Sequence, residues 1–161
     1  MRFSIVENRN CISGELIYRK GEYSFDFLPS DVVLQGRGGA TISLDTLQIE
    51  VDPYESMLLF PWGFHPYTNW EKGELPTISF TRAGIKVDSE IPLEEGVSTS
   101  LNTSHWRTVY DPKSSWICLY QDDDFKLQSH IEFADNVIGG IKDNILLSLW
   151  LKPTNYPSLF N

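Results

Sequence analysis

Cysteine is scarce in this chain: Cys11 and Cys118 stand far apart and form no C-x-x-C pair. That excludes a disulfide-stapled scaffold and a paired-cysteine metal site. Two reduced thiols are the simplest state, with one Cys11–Cys118 bridge as the alternative. Long apolar runs are also missing, and no window approaches the roughly 18 apolar residues of a membrane-spanning helix. The opening "MRFSIVENRNC" has neither the apolar stretch nor the small-residue cleavage site of a secretory leader. The chain is therefore expected in the cytoplasm, with the sequon Asn102-Thr103-Ser104 unglycosylated. Catalytic signatures are absent: there is no G-x-S-x-G, no H-E-x-x-H and no Walker A loop. "QGRGGA" (Gln35 to Ala40) lacks the Lys-Ser/Thr ending and the following helix of a phosphate loop, so a flexible turn is expected there. Basic residues are the minority, 13 against 22 acidic, for a formal charge of −9. Nucleic acid and anionic membranes repel such a surface, whereas a basic protein partner suits it. The same charge also serves solubility alone.

What is present points to strands. Apolar residues are 41% and aromatic residues 13% of 161, enough for one folded domain over 1–161 without a staple. The hydrophobic period is mostly two. "ELIYRKGEYSFDF" reads as a hairpin turning at Lys20-Gly21, with Tyr23, Phe25 and Phe27 on one face. "TISLDTLQIEV" changes phase near Asp45-Thr46, as a β-bulge would make it do. "DPYES" is turn chemistry that returns the chain into Met57–Phe60. Residues 66–76 read as a loop, 77–89 as one or two short strands broken at Ala83-Gly84, and 90–104 as a long exposed loop. "HWRTVY", "WICLYQ" and "FKLQSHIEF" form a meander, with Trp106 facing Trp116 and with Asp124, Lys126, Gln128, His130 and Glu132 on a wet outer face. Residues 134–151 fit a strand pair turning at Asp143-Asn144, with Ile145, Leu147, Leu149 and Leu151 together. A helix is the alternative, which Gly139-Gly140 disfavours by about 2 kcal/mol. The expected fold is all-β or strongly β-rich: an antiparallel sandwich or open barrel of about eight to ten strands.

No catalytic residue, cofactor or metal site emerges. His65, His105 and His130 have no ligand spacing. Glu50 and Asp52 share a strand face, where a carboxylate pair either does acid–base work in a cleft or lies solvated on an edge. The unusual stretch is "MLLFPWGFHPYTNW", Met57 to Trp70. Its second half reads as a stiff loop carrying Trp62, Phe64, His65, Tyr67 and Trp70, candidate anchors for a partner. Glu94, Glu95, Asp122, Asp123 and Asp124 are candidate steering charges.

The segment "LQIEVDPYESMLLFPWGFHPYTNW" and the closing "IEFADNVIGGIKDNILLSLWLKP" resemble small immunity proteins encoded beside bacterial polymorphic or contact-dependent inhibition toxins. The resemblance implies a cytoplasmic, non-enzymatic protein that neutralises one cognate toxin domain by tight binding, and a monomer is expected rather than a homo-oligomer. Many such toxins are basic nucleases, which suits the acidic balance. Two other readings remain open. One is a small-ligand β-barrel or enzyme with an aromatic cleft around Trp62 and His65. The other is an assembly subunit that pairs through strand edges.

Overall fold

A computed structural model describes residues 1–35, 38–101 and 105–156. Gly36-Arg37 of the Gly-rich segment and the sequon Asn102-Thr103-Ser104 fall outside the described residues. Among the described residues the period-two pattern becomes strands, fifteen in two sheets. In the first sheet the spatial order is β1 (Arg2–Val6), β9 (Gly84–Asp88), β6 (Met57–Phe64), β5 (Leu47–Asp52), β4 (Ala40–Leu44) and β10 (Ser98–Ser100). The hairpin β2 (Gly14–Arg19) and β3 (Ser24–Pro29) joins the far end of β6, where Ser24 pairs with Phe64 and Phe25 with Gly63. The second sheet runs β7 (Glu71–Lys72), β11 (Arg107–Tyr110), β12 (Ile117–Tyr120), β15 (Ile145–Leu151), β14 (Val137–Lys142), β13 (Ser129–Ala134) and β8 (Thr81–Arg82). The one α-helical turn described, α1, covers Val32–Gln35.

The two sheets close on one apolar cluster. Phe3, Leu16, Ile42, Ile49 and Ile85 come from the first sheet, and Leu119, Ile131, Phe133, Leu149 and Leu151 from the second. Alternation along each strand puts one set of side chains inside, and that burial is the main favourable term. This is the β-rich sandwich the pattern predicts. The strand number exceeds the expected eight to ten partly because β7, β8 and β10 have only two or three residues. Such pieces leave no periodic signal. They also bring parallel pairs, β10 with β4, β11 with β7 and β13 with β8, into an otherwise antiparallel arrangement.

Several local expectations need correcting. The phase change at Asp45-Thr46 is a tight hairpin turn, with Asp45 at φ 56°; the bulge lies further on, where Glu50 pairs with Phe60 but Val51 with Leu58. Tyr23 sits in the turn before β3, also at positive φ, and faces solvent. "FKLQSHIEF" is not one strand. A 3₁₀ turn covers Phe125–Leu127 before β13 begins. The wet face of β13 is in fact buried at His130 and Glu132. Trp106 packs in the main core while Trp116 lies edge-on to Trp150 at 6.4 Å, so the two do not face each other. In β15 a register shift, Gly140 with Ser148 but Ile141 with Leu146, turns Ile145 and Leu147 outward and Leu146 inward. The strand pair itself stands, turning at Asp143-Asn144, both at positive φ.

One connection organises the far side of the second sheet. β7 and β8 occupy opposite edges of that sheet, so residues 73–80 cross its whole width. Leu75 and Ile78 of this strap pack on Cys118, Ile138 and Trp150, which face away from the main core. The strap is tied down near its start, where Gly73 N–H donates to the Tyr110 carbonyl and Leu75 N–H to Asp111 Oδ2.

Candidate functional site

The aromatic stretch divides by strand geometry, not by loop geometry. Pro61 and Gly63 suggest a loop, yet β6 runs through both to Phe64. Gly63, at φ +107°, supplies a backbone conformation that other residues rarely adopt. Alternation then points Trp62 and Phe64 outward, 40% and 53% exposed, while Pro61 and His65 are buried. Trp62 is not free to swing. Its indole N–H donates to Glu50 Oε2 at 2.8 Å, and burial pushes the Glu50 carboxyl up against that bond. Phe64 meets the exposed Tyr23 edge-on at 6.4 Å, and Tyr23 stacks on the half-buried Tyr67 at 5.7 Å. Beside Trp62 lies an open depression of about 410 Å³, lined among others by Arg19, Glu22, Asp26, Glu50 and Phe60. The Arg19 guanidinium is engaged with Asp26 at 3.0 Å.

His65 and Trp70 belong to the interior. His65 Nδ1 lies 3.0 Å from Thr46 Oγ1 and Nε2 lies 2.9 Å from Thr108 Oγ1. The ring thus bridges the β4–β5 turn of the first sheet to β11 of the second. Burial pulls its pKa down to about 4, so it is neutral at pH 7. Tyr18 fixes the backbone here, its hydroxyl donating to the His65 carbonyl at 2.7 Å and accepting from Tyr67 N–H at 2.9 Å. Trp70 packs on Tyr18 and Phe25. His65 and Trp70 therefore present little surface to a partner. Among the described residues, His65 and Trp62 line different cavities. Glu50 and Asp52 likewise act apart. The Asp52 carboxylate is buried and accepts from Tyr54 and Glu55 N–H to close the turn into β6.

The steering carboxylates are separated as well. Glu94 and Glu95 are exposed on the loop before β10, whereas Asp122–Asp124 sit in the turn after β12, on the second sheet. No protein-family model and no curated protein matches this chain. The geometry of its own residues is what bears on function.

A further cavity, of about 600 Å³, opens between the strap and the turn before β13. Ile78, Phe125, Gln128 and His130 line it, with Asp123, Asp124 and Lys126 among its other residues. No sequence signal marked it, because His130 alternates with apolar positions as a surface residue would. Cys11 and Cys118 are both free thiols. Among the described residues, the one trio able to hold a metal ion is Cys11, Glu132 and Asp135. Arg82 already supplies the positive charge there, 3.3 Å from Glu132 and 2.8 Å from Asp135. Burial pushes the Cys11 thiol up to about 11, which disfavours the thiolate a metal would need.

Proposed function

We propose that this chain is an immunity-type binding protein of the cytoplasm, acting as a monomer that neutralises a basic toxin domain. The observation that carries this reading is the outward face of β6. Trp62 and Phe64 are large rings held on a rigid strand, one of them clamped by Glu50. Rings fixed in advance lose little conformational entropy on binding, and such residues concentrate binding energy at interfaces. Among the described residues that line the neighbouring depression, Glu22, Asp26 and Glu50 stand against the one cation of Arg19. That balance suits a lysine- or arginine-rich surface, such as the substrate groove of a nuclease, and agrees with the formal charge of −9. Tyr23, also exposed, extends the ring face alongside Phe64. Glu94, Glu95 and Asp122–Asp124 serve approach, not contact. Among the described residues no helix is long and apolar enough to cross a membrane.

The test is binding to the toxin domain encoded beside this gene. Trp62→Ala with Phe64→Ala should weaken binding by about a hundredfold with only a modest drop in melting temperature, since both rings are largely exposed and the main loss inside the chain is the indole bond to Glu50. Charge reversal at Glu94, Glu95, Asp122, Asp123 and Asp124 should slow association and flatten its salt dependence. Unchanged affinity in the double alanine variant would remove this face from the reading. A gene neighbourhood without any toxin would remove the reading itself.

A further inference from the structure

The bulge in β5 shapes the outer face beside Trp62. It sends Val51 and Asp52 inward and leaves Glu50 paired with Phe60 on the outside. Gln48 pairs with Trp62 two positions along, so Glu50, Phe60 and Trp62 share that face. All three line the depression of about 410 Å³. The Glu50 carboxylate is held from two sides. Its Oε2 accepts the Trp62 indole N–H at 2.8 Å, and Gly39 leaves room for Oε1, since a Cβ there would run into it. Among the described residues that indole N–H is its one hydrogen-bond donor, although an ionised carboxylate accepts up to about four. Half-burial pushes the Glu50 carboxyl up, so a cation brought against it gains more than it would at an open surface. Across the depression Asp26 engages the Arg19 guanidinium, with Nε at 3.3 Å and Nη2 at 3.0 Å from Oδ2. Glu22 and Glu50 are left with no ion pair among the described residues. Phe60 stacks on the buried Phe27 at 5.0 Å and gives the depression an aromatic wall.

We propose that this depression is a socket for one arginine side chain of the protein partner, its guanidinium on the Trp62 ring and its charge answered by Glu50. The inference rests on the reading of β6 as the partner face and deepens it. Three features set the occupant. Two carboxylates without an ion pair, on a chain that is acidic as a whole, call for a cation. Trp62 and Phe60 offer aromatic surface on which a planar guanidinium stacks and the stem of a long side chain lies. The half-buried carboxylate favours arginine over lysine, because a guanidinium sheds water more readily than an ammonium and keeps its proton when desolvated. An apolar anchor would cover Glu50 without a compensating charge, and an acidic one would set a like charge against it.

The probes are the N-acetyl amides of arginine, lysine and citrulline, titrated into the full chain and followed by NMR at the Trp62 indole and Gly63 backbone N–H. Citrulline keeps the shape of arginine without its charge. The arginine probe should saturate in the millimolar range and shift both resonances. The lysine probe should bind at least about threefold more weakly, and the citrulline probe at least about tenfold. Glu50→Gln still accepts from the indole; it should weaken the arginine probe by about three- to tenfold and leave the citrulline probe unchanged. Trp62→Leu, followed at Gly63, should abolish saturation. Equal binding of the three probes, no saturation, or full arginine affinity in Glu50→Gln would overturn the socket, and Trp62-dependent binding of the toxin domain would then leave the partner face standing. Charge-selective saturation by the arginine probe in a chain that binds no toxin would support the socket and remove the partner reading instead.

Discussion

Acidification should loosen the two sheets through His65, and the size of the effect follows from its burial. The ring sits between Thr46 and Thr108 with a pKa near 4, against an ordinary value of 6.5. Both hydroxyls can accept from an imidazolium, so hydrogen bonding does not forbid the proton; placing a charge in the interior does. The charged neighbours do little to offset this. Asp45, Glu71 and Arg107 line the same cavity, but Glu71 and Arg107 neutralise each other at 2.8 Å. Above pH 6.5 His65 is neutral in both folded and unfolded chains, and its contribution is fully present. Between pH 6.5 and 4 the unfolded chain takes up a proton that the folded chain refuses, so stability falls by about 1.4 kcal/mol per pH unit, about 3 kcal/mol in all. His65→Gln keeps a polar bridge and removes the titration. Urea unfolding of both proteins from pH 7.5 to 4 isolates the term, because carboxylates and His130 titrate alike in each. The stability difference between the two should change by about 3 kcal/mol across that window, in favour of the variant at low pH. A difference that stays constant with pH would refute a buried, neutral His65.

Gly140→Ala should destabilise by about 1–3 kcal/mol in urea unfolding, since the new Cβ meets the Ser148–Gln128 pair. Asp111→Ala should cost a similar or larger amount, about 2–4 kcal/mol, because Leu75 and Lys113 N–H both lose their acceptor. Hydrogen exchange at Leu75 should accelerate more than at core amides; equal acceleration would mean that the strap is not held there. Cys118 is fully buried with its thiol pushed well up, so a thiol reagent at pH 8 should modify it only on unfolding.

The hairpins of this fold are legible in the sequence because their signals are local. Lys20-Gly21 and Asp143-Asn144 combine turn residues with alternation on both flanks, and both turns form. Asp45-Thr46 shows the limit of such signals. A two-residue turn and a bulge shift the hydrophobic phase alike, and only pairing tells them apart. Trp62 and Phe64 looked like loop residues because Pro61 and Gly63 usually break strands. β6 tolerates both while pairing with β5 along one side and with β9 and β3 only at its two ends. His130 and Glu132 were invisible for another reason. Their alternation is that of a half-wet strand, but distant segments, the strap above one and Arg82 beside the other, cover them. The candidate anchors likewise split between the surface and the interior, because successive strand residues face opposite ways.

The strap also measures the sheet it crosses. From Lys72 to Thr81 there are nine Cα steps, which extend to about 32 Å at most. Seven strands have six gaps between them, about 29 Å at ordinary spacing. The segment therefore has little slack, and removing one residue from it would leave it able to reach both edges only when fully extended. Its two ends are themselves the edge strands, β7 and β8. A single short segment thus caps the sheet at seven strands and occupies both margins where another molecule's strand would add.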